Sequence, residues 1–301
     1  MTKDTEEGPD WFRGALEAPR ESRTVDVEGC PIHYLRWGET GRPGIVLVHG
    51  GAAHAHWWTH LAPLLAGEYA VAALDLSGHG DSGWRETYDS ATWSEEILAV
   101  ANDADFDGPA ILVGHSMGGL VSVLTAARHS DELAGAIILD SPVSRPDPEA
   151  QEAAYGRSFK SPKTYATREA AIARYRLVPD QPTVHPWLME YVARRSIREV
   201  EAGWTWKWDL NVFSRITPQA IRDVLPRVSC RVALFRGEFG IVTPEVGEYM
   251  YELMHRNAPV VEIPQAHHHM MLDQPLPLLA ALRALLADWE HSTPRARQRR
   301  G

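Results

Sequence analysis

Cysteine is nearly absent. Only Cys30 and Cys230 occur in 301 residues, with no Cys-x-x-Cys spacing, so neither a disulfide scaffold nor a thiolate metal site is available. Long apolar runs are missing too: the longest, such as 136–139 and 276–282, fall far short of the roughly 20 residues a membrane span requires. Positive charge is outweighed, with 30 Lys and Arg against 40 Asp and Glu and a formal net charge of −10, a balance that repels phosphate backbones and anionic lipid. Neither nucleic acid nor membrane is an expected partner. Residues 1–10 are mostly charged or polar and lack the apolar stretch of a secretory signal, so the expected location is cytoplasmic. Internal repeats and low-complexity tracts are also lacking.

What is present is an ordinary globular composition, 44% hydrophobic and 23% charged, enough for one large core or two small ones. Segments 23–27 and 32–37 alternate apolar and polar about the turn Glu28-Gly29-Cys30-Pro31, which predicts an antiparallel edge hairpin. Segments 44–48, 69–76, 110–113 and 134–139 are apolar but for Asp75 near the end of the second, and carry β-branched residues. Strands buried on both faces have that character, so a parallel sheet is predicted. Trp57, Trp58, Leu61, Leu64 and Leu65, and later Leu120 and Leu124, recur at three- and four-residue steps and predict helices covering the sheet.

The rhythm breaks from Ser141 to about Leu225, rich in charge, proline and aromatics, which predicts an inserted helical cap. It resumes with strand-like 231–235 and 260–263, a helix over 244–256 between them, and an amphipathic helix through Leu278, Leu282, Leu286 and Trp289. The expected organisation is an arm over 1–22, a core over 23–141 and 226–290, a helical cap over 142–225 and a basic flexible tail over 291–301.

The sharpest local signal is Val113-Gly114-His115-Ser116-Met117-Gly118-Gly119, which joins a predicted buried strand directly to a predicted helix. A nucleophile at the tip of a tight strand-to-helix turn takes strained backbone angles, so its neighbours two residues away must lack bulk. Ser116 then stands above the sheet with the positive end of the next helix aimed at it. The bland alternative is a glycine-rich turn with an incidental serine. A serine hydroxyl needs a base within hydrogen-bond reach, and His267, His268 and His269 follow the last predicted strand. Three consecutive histidines can also be a metal tract. Adjacent loop side chains diverge, however, and no carboxylate or thiolate set accompanies them at ligand spacing, so one base and no metal are expected.

The His49-Gly50-Gly51 turn after an early strand, Gly-His-Ser-Met-Gly-Gly, and a late His before Asp-Gln-Pro together resemble the α/β-hydrolase superfamily, over nearly all of residues 23–290. The resemblance implies a mostly parallel sheet flanked by helices, an inserted helical cap and no cofactor. It also implies a base histidine a fixed short interval before an acidic residue and proline. Counting back from Leu272-Asp273-Gln274-Pro275 gives His268, with His267 and His269 one residue to either side. Two backbone N–H groups, here those of Met117 and Gly51, would form the oxyanion hole.

One feature departs from that pattern. The family's acid usually lies in the loop after the seventh strand, but in 236–244 Gly240 and Ile241 stand where it would sit. Asp140, at the end of the sixth strand, and Glu238, early in the usual loop, are the two replacements. Asp140 is preferred, with a purely structural role for it left open.

Asp75 and Ser77-Gly78-His79-Gly80-Asp81-Ser82 read as a loop bracing the site. His54, His56 and Trp57 are placed to touch a ligand, or His56 to cap a helix, while Trp187, Trp204, Trp206 and Trp208 read as packing inside the cap rather than as a ligand wall. The expected activity is a serine hydrolase acting on a small, apolar carboxylic ester or lactone, in a monomer or homodimer. Two expectations compete with it. One is a non-hydrolytic enzyme of the same fold, such as a C–C hydrolase, lyase or cofactor-free oxygenase; the other is a small-molecule binding protein whose missing acid leaves it little turnover.

Overall fold

The computed structural model describes residues 8–143, 163–213 and 218–291. Its strands are β1 (Glu21–Val27), β2 (Cys30–Trp37), β3 (Gly44–Val48), β4 (Ala70–Leu74), β5 (Ala110–His115), β6 (Leu133–Leu139), β7 (Ile197–Val200), β8 (Gly203–Trp206), β9 (Arg231–Phe239) and β10 (Val260–His267). Eight of them form one sheet in the order β1-β2-β4-β3-β5-β6-β9-β10. The β1/β2 and β2/β4 pairs are antiparallel and every other neighbouring pair is parallel. This is the α/β-hydrolase architecture, a mostly parallel sheet flanked by helices.

The helices are α1 (Asp10–Glu17), α2 (Ala62–Leu65), α3 (Ser90–Asp103), α4 (Met117–Arg128), α5 (Arg168–Ile172), α6 (Pro186–Arg195), α7 (Pro218–Val224), α8 (Pro244–Leu253), α9 (Met270–Asp273) and α10 (Pro275–His291). The all-apolar strands sit centrally because successive residues must be buried on opposite faces. Ile45, Leu47, Val71 and Ala73 share one core with Trp58, Leu61, Leu278 and Trp289, whereas Val46, Val48, Ala72 and Leu74 share another with Trp93, Ile97, Val100 and Val121. Burying each larger aliphatic stabilises the fold by about 1.5–3 kcal/mol, and a one-residue slip would exchange the two faces. Among the described residues no helix is long and apolar enough to cross a membrane.

Three differences from the sequence reading have physical causes. The helix read through Trp57 to Leu65 is broken into a 3₁₀ turn, Ala55–Trp58, and the short α2. Pro63 has no N–H to continue a helix backwards and its ring clashes with the preceding turn. The arm expected over 1–22 is folded in part: α1 seats Phe12, fully buried, 4.4 Å from the ring of Trp187, and β1 already begins at Glu21. Between β6 and β9 the chain is not all helix, because β7 and β8 pair as an antiparallel ribbon beside α5, α6 and α7. Ile197, Val200 and Trp204-Thr205-Trp206 are β-formers on either side of a two-residue connection, which favours a hairpin. Residues 1–7, the tail from 292 on, and 144–162 and 214–217 of the expected cap lie outside the described residues.

Candidate active site

Strand β5 ends at His115 and α4 begins at Met117, which leaves Ser116 alone in the corner at φ 53°, ψ −121°. A positive φ at a residue with a Cβ costs on the order of 1–3 kcal/mol and persists only where neighbours enforce it. Here the Ser116 N–H donates to the Leu139 carbonyl at 3.0 Å, and the Ser116 carbonyl accepts from the N–H groups of Gly119 and Leu120. The flanking glycines are sterically required. A Cβ on Gly114 would stand 2.5 Å from the Gly118 carbonyl oxygen, and one on Gly118 would stand 2.3 Å from that of His49. The first turn of α4 therefore sits directly against the end of β3.

His268, after β10, is almost fully buried and links two elements. Its Nε2 is 3.0 Å from Ser116 Oγ and its Nδ1 is 2.8 Å from Asp140 Oδ2. A carboxylate only accepts, so Nδ1–H donates to Asp140 and the Nε2 lone pair faces the serine hydroxyl. Asp140 is fully buried at the end of β6. Its carboxylate also accepts from the N–H of Ile241 at 2.8 Å and from those of Gly237 and Val242 at 3.3 Å. A Cβ on Gly240 would come within 2.3 Å of Asp140 Oδ1. The loop with Gly240 and Ile241 at the usual place of the acid thus wraps the carboxylate delivered by the neighbouring strand.

The backbone N–H groups of Met117 and Gly51 have no hydrogen-bond acceptor among the described residues. Met117 is the first residue of α4, where helix N–H groups are unpaired and the dipole is positive. His115 donates Nε2–H to the His268 carbonyl at 3.0 Å, which pins the loop carrying His268. Burial, reinforced by the neighbouring His268, holds His115 well below the usual imidazole range, and the same causes push His269 down to about 3. Both rings stay neutral near pH 7 and add no competing positive charge.

Residues 45–282 match the family model of the alpha/beta hydrolase family. The chain belongs to that family. This hydrolase is 29% identical to the esterase Rv0045c of Mycobacterium tuberculosis over 276 residues, 86% of this chain and 88% of that one. It is 37% identical to the lipase LipV of the same organism over 117 residues, where it spans 42% of that protein's length and 38% of its own. Among solved structures it is similar to an E-2-(acetamidomethylene)succinate hydrolase, with a TM-score of 0.75 at 23% identity, covering 89% of this chain and 100% of the other.

The remaining candidates of this hydrolase lie elsewhere. Asp273 holds His267, accepting from its N–H at 2.7 Å and lying 2.9 Å from its Nδ1. His269 directs Nε2 to the Pro179 carbonyl at 3.2 Å. Glu238 is exposed and accepts from the Gln265 N–H at 2.8 Å, away from His268. His54 reaches Ser196 Oγ at 2.8 Å, and His56 packs near Thr59 and Tyr191 without capping a helix. Trp57 lies edge-on to His269, 5.3 Å between centroids. Trp206 and Trp208 line a cavity of about 350 Å³ with Gly51, Trp57, Tyr175 and Ser196, so two of the tryptophans read as internal packing face open space. No motif pointed to Tyr175, Ser196 or the loop amides around Asp140.

A second Ser–His–Asp line shows that distances alone are not decisive in this hydrolase. Ser22 Oγ is 2.9 Å from His33 Nε2, whose Nδ1 is 2.7 Å from Asp75. Ser22 is exposed on the regular edge strand β1, away from any helix start. Asp75 also accepts from the N–H groups of Ala55 and Asp81, so this line braces the loop after β4. Two groups, His115 with His268 and His269, and His33 with Asp75 and Asp81, bring potential metal-binding atoms within 4.8 Å. Each already has its central member, His268 or Asp75, hydrogen-bonded on both sides.

Proposed function

We propose that this hydrolase cleaves a carboxylic ester or lactone through an acyl-enzyme on Ser116. The observation that carries the reading is His268 hydrogen-bonded between Ser116 and the buried, amide-wrapped Asp140. The esterase and lipase relatives support ester hydrolysis in general. Ser116 Oγ attacks the carbonyl carbon while its proton passes to His268 Nε2. Asp140 fixes the tautomer and stabilises the imidazolium. The N–H groups of Met117 and Gly51 receive the tetrahedral oxyanion. His268 then protonates the leaving alkoxide, and the alcohol departs; with a lactone it stays tethered to the acyl group. In the second half His268 deprotonates a water that attacks the acyl carbon, and collapse returns the proton to Ser116 and releases the acid. The described part of the segment between β6 and β9, whose aromatics line the cavity, serves as a cap over the substrate.

A binding-only reading rests on the acid absent from its usual place, and the contact between Asp140 and His268 speaks against it. A fluorophosphonate probe is expected to add to the folded protein at one serine, with peptide mapping locating the adduct on Ser116 rather than Ser22. An unlabelled folded protein would reject the mechanism. Asp140→Asn is expected to lower kcat by about 10³–10⁴, because the amide inverts the imidazole tautomer. Glu238→Gln should stay within about twofold of the parent, as exposed substitutions away from a site generally do. Equal activities of the two variants on a p-nitrophenyl ester would remove Asp140 from the proposal.

A further inference from the structure

The cavity that opens on Gly51 and Trp57 also has Lys163, Arg174 and Arg176 in its lining, and no acidic residue among the described ones. All three cations are exposed. Lys163 and Arg174 have no ion-pair partner among the described residues, and the Arg176 guanidinium donates only to the carbonyls of Ala173 and Tyr175. Several other cations are matched, Arg23 with Glu21 and Asp105, Arg85 with Glu96, Lys207 with Asp81 and Arg236 with Glu262, and those that are not, such as Arg195 over Tyr191 and Arg198 over Trp84, do not line this cavity. A chain with 40 acidic and 30 basic residues has carboxylates in excess, so three cations around one cavity, with no carboxylate beside them among the described residues, form a local field opposite to the protein's net charge. Like charges so placed repel, and an anionic ligand relieves that repulsion.

The other walls are aromatic. Tyr165, Tyr175, Trp206 and Trp208 line the same space, whose volume of about 350 Å³ is within the range of small-molecule sites. Apolar walls and a basic rim together fit an amphiphilic ligand.

We infer that the substrate is an ester carrying a second, anionic group, a carboxylate or phosphate, joined through an apolar spacer, with Lys163, Arg174 and Arg176 as its subsite. The inference rests on the ester-hydrolase reading. An exposed ion pair changes affinity by about two- to fivefold, so three acting together give a preference of about tenfold or more, expressed mainly in KM. Because the rim is solvent-exposed, added salt screens that preference.

The test compares methyl half-esters of linear dicarboxylic acids of graded length, and methyl esters of phosphorylated hydroxy acids, with neutral methyl esters of matched length. Wild-type protein is expected to favour one anionic series by about tenfold or more in kcat/KM, and the Lys163→Gln/Arg174→Gln/Arg176→Gln variant to lose most of that ratio. Arg42→Gln/Arg256→Gln/Arg283→Gln, on three exposed cations outside the cavity lining, serves as the control for net charge. The favoured series tells carboxylate from phosphate. No anionic preference in wild type, or a preference that survives the triple substitution, overturns the inference. A binding arm separates this result from the ester reading: a free dicarboxylic acid should raise the melting temperature of wild type more than a monocarboxylic acid does, and not that of the triple variant. If that shift is seen while every ester, neutral or charged, resists turnover, the subsite stands and ester hydrolysis falls.

Discussion

Ser116→Ala is expected to lower kcat on a p-nitrophenyl ester by about 10⁴–10⁶, with KM changed little. The size follows from the covalent step. Without Oγ the hydroxyl, its proton acceptor and the acyl intermediate are lost together, and only the N–H groups of Met117 and Gly51 and the cavity remain to assist water. The fold should tolerate the change. The corner is held by backbone bonds to Leu139, Gly119 and Leu120, which alanine keeps, so circular dichroism and the melting temperature are expected to stay close to the parent. Retention of more than about 1% of kcat would contradict the proposed chemistry. The Ser22 line makes no contribution in that variant, since it lies on an edge strand whose partner Asp75 is committed to loop amides.

Acid is expected to unfold the protein between about pH 6 and pH 5, well above the carboxylate range. Burial lowers eight histidines: His49, His54, His115 and His185 are lowered, His60 is pushed down to about 4, and His56, His79 and His269 to about 3. In the unfolded chain each takes up a proton near pH 6.5. Below that value the unfolded state binds protons that the folded state refuses, so the stability these groups allow is complete above about pH 6.5 and falls as pH drops towards their folded values. Each contributes a slope of at most about 1.4 kcal/mol per pH unit, and eight give at most about 11, against a typical total of 5–15 kcal/mol. His33 runs the other way. Burial lowers it, but the hydrogen bond and charge of Asp75 outweigh burial and raise it, so it adds stability below about pH 6.5 that is lost as pH rises. One such group does not offset eight. Far-ultraviolet circular dichroism across a pH titration checks this; a midpoint below pH 4 would show that the buried rings accept protons without unfolding.

The central sheet was legible because burial on both faces forces uninterrupted aliphatic runs, and 44–48 or 134–139 satisfy nothing else. Ser116 was legible for a related reason, since Gly114 and Gly118 mark a corner where a Cβ would strike backbone. His268 followed from its interval to Asp273 and Pro275, although Asp273 in fact holds His267. The surroundings of Asp140 were not legible. Its three amide donors come from Gly237, Ile241 and Val242, and a backbone N–H carries no side-chain signature. The β7–β8 ribbon was hidden for a different reason, four-residue strands in a charged segment being too short for period-2 alternation to stand out. The cations around the cavity carried no local pattern either; only folding brings 163 and 174–176 to the residues near 51 and 57.

The contact between Gly240 and Asp140 bears on how such a site can change over generations. An aspartate introduced at 240 would thrust its β-carbon into the carboxylate already there, so aspartates at 140 and 240 exclude one another. A lineage moving its carboxylate to 240 would have to empty 140 in the same step, whereas 241, whose N–H already meets Asp140 while its side chain is exposed, leaves a gentler route.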